Sequence, residues 1–218
     1  YQYVTAAKQL VSLKEVAIDM PAGPSEVEVI ADESANPAFI AADFLSQAEH
    51  GMDSQAMLVT ASESIVEPVM QAIREQLDRL PRKEITEKSL SHSRLIVLKD
   101  KQEVIDFTNL YAPEHLIIQT TDYADIAGQV ENAGSVFMGP YTPESAGDYA
   151  SGTNHTLPTN GYAKAYSGVN LDSFIKKITF QEITADGIRL LGGTIRTMAA
   201  NEQLDAHKNA VTIRLNTL

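Results

Sequence analysis

The sequence predicts an α/β protein, with a mainly parallel sheet flanked by helices and an extended helical C-terminal tail. Two observations carry that expectation. Between residues 27 and 139, short β-rich runs alternate with helical periodicity, which is the signature of successive βαβ units. Strands separated in this way by helices pair in parallel, in a sheet covered on both faces. From Leu171 onward the β-rich runs give way to helical spacing.

Taken in order, the strand candidates are "VAIDM" (16–20), "VEVIAD" (27–32), "AMLVTA" (56–61), "SRLIVLKD" (93–100), "LIIQT" (116–120) and "SVFMG" (135–139). Helical spacing covers about 36–50, 64–80, 101–111 and 122–133, the last opened by Asp122 as N-cap. The tail reads as a short strand or extended arm around 177–182, then helices near 184–200 and 201–214. Its apolar positions need a surface to cover, either the sheet domain or another subunit. The polar stretch 139–168 holds five Gly, three Pro and four Tyr, and has no hydrophobic period of its own. A connection of that length and turn chemistry predicts a functional loop. The chain starts without Met, and "VAIDMPAGPSE" follows so quickly that the reading predicts a fragment entering midway through an α/β unit.

Composition narrows the function. The 218 residues are 44% hydrophobic, enough for a sizeable core. With 17 Lys and Arg against 29 Asp and Glu, the net charge of −12 disfavours nucleic acid and anionic membranes as partners. No apolar run reaches the roughly 20 residues of a spanning helix. There is no Cys, so a transition metal must be held by nitrogen and oxygen donors, and a reducing compartment fits. The chain carries no GxGxxG, Walker A or HExxH motif.

Four of the five His lie beside polar partners; His92, among charged residues, does not. In "SQAEHG", Gln47 and His50 are three residues apart at the end of a helical segment and project from one face, so both can point at one metal, substrate or water. In "YAPEHL", Pro113 stops a helix and leaves Glu114 and His115 where it hands over to a strand. There they share proton transfer near neutral pH, or Glu114 merely supports a surface turn. "SAGDYASGTNH" offers Asp148 and His155 among Gly147 and Gly152, either as ligand contacts at a close backbone approach or as an Asx turn. "GPSE" places Ser25 in a tight loop, facing a ligand or in a plain turn. His207 follows Glu202 by five residues.

Together, "DMPAGPSEV" (19–27), "LSQAEHGMDSQ" (45–55), "YAPEHL" (111–116), "GSVFMGPYTPESAGDYASGTNHTLPT" (134–159) and "EQLDAHKNAVTIR" (202–214) resemble histidinol dehydrogenase. The strings run in the family's order and resemble the C-terminal half of its usual chain. The resemblance implies an NAD-linked, zinc-dependent oxidation of L-histidinol to L-histidinaldehyde and then L-histidine, in a cytoplasmic enzyme of histidine biosynthesis. It implies one Zn²⁺ per subunit on Gln47, His50, Asp148 and His207, with His115 as the base for the alcohol and Glu114 activating water. Ser25, His155 and Glu202 match substrate-contacting positions, as do His115 and the four metal ligands. NAD contacts are expected upstream of Tyr1, and an isolated chain of this length is expected to be inactive. The tail is expected to reach across a homodimer with composite active sites.

On that basis the chain divides into 1–25, the end of an upstream unit and a linker; 26–168, an incomplete Rossmann-like α/β domain; and 169–218, a helical dimerisation tail. Two positions depart from the family pattern: Gln203 replaces a Gly in "EGLxAH", and Glu28 replaces an apolar residue. A zinc-dependent hydrolase with Glu114 as base, and a non-catalytic assembly module, are the alternative readings.

Overall fold

The structure is a computed structural model describing residues 2–218. It divides into two compact units, the first ending at Ile175 and the second running Lys176–Leu218. The first contains α1 (Gln2–Ser12), β1 (Glu26–Ala31), α2 (Pro37–Ala48), β2 (Gln55–Thr60), α3 (Val66–Leu77), α4 (Lys83–Leu90), β3 (Arg94–Val97), α5 (Lys101–Tyr111), β4 (His115–Gln119), α6 (Tyr123–Ala127), β5 (Ser135–Met138) and α7 (Glu144–Tyr149). The second holds α8 (Ala185–Asn201) and α9 (Asp205–Asn216). No helix among the described residues is long and apolar enough to cross a membrane.

The five strands pair in parallel, in the order β3-β2-β1-β4-β5. β1 and β4, in the middle, are buried at every position, while the edge strands β3 and β5 are only partly covered. Alternation along β1 sends Val27, Val29 and Ala31 to one face, against Ile40 and Phe44 of α2 and Val69 of α3. Ile30 turns to the other face, with Val104 and Ile105 of α5 and Ile126 of α6. Helices on both faces of a parallel sheet are what the alternating pattern predicts.

Several elements differ from expectation. Residues 16–20 form no strand. Instead, α1 takes up nearby backbone acceptors: Thr5 donates to the Ala22 carbonyl at 2.6 Å, Lys8 to that of Met20 at 3.2 Å, and Lys8 pairs with Asp19. The helix expected over 122–133 ends at Ala127, with Gly128 as its C-cap. Beyond it, the Asn109 side chain accepts from the amides of Glu131 (2.7 Å) and Asn132 (3.3 Å), drawing the chain onto α5. Helix α7 lies inside the stretch read as a loop. Residues 177–182 form no strand, so of the two alternatives the strand does not hold. Gln203, between α8 and α9, has φ +60°, a left-handed conformation that explains why the family pattern places Gly there.

Glu28 is fully buried in the centre of β1. Thr108 of α5 donates to its Oε1, and its Oε2 has no partner. Desolvation pushes this carboxyl from 4.5 up to about 8, with the Thr108 hydrogen bond opposing and the neighbouring Glu26 charge adding. Because the folded carboxyl holds its proton where the unfolded one has lost it, stability is full below the ordinary value and drains away as pH rises towards 8. Replacing Glu28 by Leu should remove that loss, and leaves the Thr108 hydroxyl its bond to the Val104 carbonyl at 2.9 Å. Urea unfolding across the window should show the stability gap between variant and parent widening by about 1.4 kcal/mol per pH unit. A gap independent of pH would mean that Glu28 is not protonated in the fold.

Candidate active site

Helix α2 is started by Pro37 at its first turn and by the Asn36 side chain, which accepts from the Ala38 amide at 2.9 Å. It ends at Ala48 with Gln47 in its last turn and His50 just beyond. Gln47 is completely buried, and neither atom of its amide has a hydrogen-bond partner. Such an orphaned group marks a place where a partner belongs. Asp43, one turn earlier, is buried and accepts from the Gln119 amide at 2.9 Å; desolvation pushes it up to about 7.

Helix α5 ends at Tyr111 with Ala112 in a left-handed turn (φ +58°), and Pro113 leads straight into β4. Glu114 and His115 are buried there, at the amino end of the strand, where β4 lies in register with β1. The Glu26 amide donates to Glu114 Oε2 at 2.9 Å, and the Ser25 hydroxyl also bonds this carboxyl. Desolvation nevertheless raises Glu114 to about 7, helped by the charges of Glu26 and Asp148. His115 Nδ1 lies 3.2 Å from the Glu26 carbonyl oxygen. A carbonyl only accepts, so this contact puts the proton on Nδ1 and leaves Nε2, which has no partner, with a free lone pair. Burial pushes His115 below 6.5, so the ring is a neutral base at neutral pH.

The third wall is α7. Gly147 sits against the Phe137 ring of β5: a Cβ there would come within 2.7 Å of Cε1. Its smallness therefore serves packing against β5. That packing brings in Glu144 and Asp148, one turn apart. The acceptor atoms of His50, Glu144 and Asp148 lie within 4.8 Å of one another, with His50 Nε2 3.9 Å from Glu144 Oε1. Burial, then the charges of Asp148, Glu114 and Asp43, push Glu144 up to about 9.

Ser25, His50, Glu114, His115, Glu144, Asp148, Tyr149 and His155 line one cavity of about 320 Å³. His155 stands exposed on the loop after α7. That loop is pinned to the base of β1 by the Gly23 amide, which donates to Thr159 Oγ1 at 2.6 Å, and by the Asn160 amide, which donates to Glu26 Oε1 at 3.0 Å. Six of the nine residues singled out in the sequence thus share one cavity, and Gln47 lies one helical turn from His50. Glu202 and His207 belong to the second unit, Glu202 capping α8 and His207 in the first turn of α9, both exposed. Sequence reasoning missed Glu144 and Asp43; the i, i+4 spacing of Glu144 to Asp148, and of Asp43 to Gln47, was the available signal.

The cavity lies at the amino edge of the sheet. The carboxyl edge, where open α/β sheets usually bind ligands, has a separate crevice of about 280 Å³ lined by residues such as Asp32, Ser62 and Thr120.

Comparison with known proteins gives a consistent picture. The family model described as histidinol dehydrogenase matches residues 1–215. Histidinol dehydrogenase of Bacteroides thetaiotaomicron is 70% identical over 217 residues, covering 100% of this chain and 51% of that protein. The chloroplastic histidinol dehydrogenase of Arabidopsis thaliana is 58% identical over 220 residues, covering 100% of this chain and 47% of the relative. The crystal structure of histidinol dehydrogenase from Elizabethkingia anophelis superposes with a TM-score of 0.94 at 58% identity, over 100% of this chain and 50% of that one. The chain thus spans about half the length of these relatives, matching their C-terminal half. By its family match and these identities, the chain belongs to the histidinol dehydrogenase family.

Proposed function

We propose that the protein containing this chain oxidises L-histidinol to L-histidine through the aldehyde, with NAD⁺ as hydride acceptor in both steps. The observation that carries the reading is His115: a buried neutral imidazole, held through Nδ1 and with no partner on Nε2, in the lining of a cavity shared with Glu114, His50 and Asp148. Nε2 takes the hydroxyl proton as hydride leaves the carbon, because hydride departs more readily from a developing alkoxide. In the second oxidation Glu114, poised near neutrality, takes a proton from the water that adds to the aldehyde. Ser25 and His155 border the same space and contact the substrate.

The donor set fits a divalent cation. His50 and Asp148 offer nitrogen and carboxylate oxygen, Gln47 offers a buried amide with no other partner, and no thiolate is present. With His207 as fourth ligand these residues would hold one zinc ion per subunit, and Glu202 would face the substrate. A bound zinc supplies charge and orientation to the substrate's amino and imidazole nitrogens without changing oxidation state. NAD⁺ is held by residues outside this chain. We assign residues 169–218 to a homodimer interface that completes composite sites, and the protein to the cytoplasm.

In the full-length protein, each histidinol consumed should yield two NADH, read by absorbance. A zinc hydrolase using Glu114 as base would yield none, and that result would refute the reading.

A further inference from the structure

Among the described residues, the buried side-chain oxygens without a hydrogen-bond partner belong to Glu28, Gln47, Gln119, Thr120 and Glu144. Glu28 faces α5, and Gln119 and Thr120 stand at the carboxyl end of β4. Glu144, on α7, which packs against α2, is the one that borders the cavity with His50 and Asp148. The amide nitrogen of Gln47, on α2, is a buried donor with no acceptor. An amide that turns its oxygen to a cation must send its N–H groups the opposite way, and leaving them buried and unpaired costs about 1–3 kcal/mol. Asp43, the other buried carboxylate on that face of α2, already accepts from Gln119.

Building on the cation site proposed above, we propose that Glu144 is its positioning residue. Neither Glu144 Oε2 nor the Gln47 amide nitrogen has a hydrogen-bond partner among the described residues; with a cation bound, the Glu144 carboxyl would accept from that nitrogen and fix the amide oxygen toward the cation. Glu144 Oε1 is 3.9 Å from His50 Nε2, within reach of the same cation, so the double variant with Gln47→Ala is what separates positioning from direct ligation. A carboxylate outside the ligand shell that orients a ligand also raises metal affinity, and losing such a group typically costs about 10- to 100-fold.

The test is zinc affinity of the full-length apoprotein by competition with a chromophoric chelator, with the visible spectrum of the Co²⁺ form as second readout. Glu144→Ala should weaken zinc about 10- to 100-fold and alter the Co²⁺ bands. Glu144→Gln retains an acceptor oxygen and should stay within about threefold of the parent, whereas Asp148→Asn, which neutralises a ligand, should lose far more. In a Gln47→Ala background, Glu144→Ala should cost nothing further, because the residue it positions is gone. Should Glu144→Ala not fold, Glu144→Met, close to Glu in size, gives the same reading. Losses that add in the double variant, or a Glu144→Gln as damaging as Asp148→Asn, overturn the proposal and leave the cation site intact. Unchanged zinc affinity in both Asp148→Asn and His50→Ala would remove the cation site itself.

Discussion

Replacing His115 by Asn in the full-length protein should lower turnover by about 10²- to 10⁴-fold and leave zinc bound. Asn is nearly as compact, and its amide N–H₂ can still donate to the Glu26 carbonyl that now holds Nδ1 at 3.2 Å. What it lacks is a basic nitrogen where Nε2 stands. The proposed cation donors come from α2 and the turn after it, from α7 and from α9, and His115 comes from β4, so the ligand set is untouched. The expected result is therefore a collapse of kcat with an unchanged zinc content. Loss of zinc in step with turnover would make His115 a ligand and end its assignment as base. In the parent enzyme the alcohol-oxidising step should also slow on the acid side only below the usual histidine range, because burial holds this imidazole neutral at lower pH than a free one.

The sheet was legible because its strands say what they are. β1 and β4 are short β-rich runs between turn signals and helical patterns, and runs that alternate with helices read as strands of a parallel sheet. "VAIDM" reads the same way, but a strand needs a neighbour to pair with, and α1 occupies the backbone acceptors near it. Helix α1 went unread at the very start of the chain. α4, "KEITEKSL", is short and polar, so its helical period carries little signal. α7 is six residues long with Gly147 inside it, a composition that reads as loop until Phe137 is there to receive it.

Gln47 with His50 stood out because their spacing sets them on one helical face, and Glu114 with His115 because Pro113 leaves them where a helix hands over to a strand. Their association is another matter. Glu114 meets the Glu26 amide across a separation of 88 residues, a proximity that exists only once β4 has paired with β1. Glu144 lies in the stretch read as a loop, and nothing local reveals that the docking of α7 will bury it. Asp43 likewise passed for a polar position on α2. Burial, which turns both into perturbed carboxyls, is a tertiary property.

The proposed composite sites predict that two inactive variants restore each other. The second unit and the arm leading into it carry more apolar surface than two helices can hide: Ile178, Phe180, Leu190, Leu191, Met198 and Ile213 are all exposed in the single chain, Phe180 at 91% and Leu190 at 83%. Side chains of that size, clustered in 43 residues, suit the homodimer interface proposed above, for which a closed two-fold pairing is the commonest form. If the pairing sets Gln47, His50 and Asp148 beside His207 of the partner subunit, each dimer holds two sites, and each draws on both chains. His50→Ala and His207→Ala should each abolish NADH formation when prepared alone. Unfolded and refolded together in equal amounts, they should form mixed dimers in half of the molecules. Each mixed dimer holds one intact site of two, so the mixture should recover about a quarter of the parent activity. Sites built within single subunits leave every mixture inactive, because each chain then carries its own lesion into its own site.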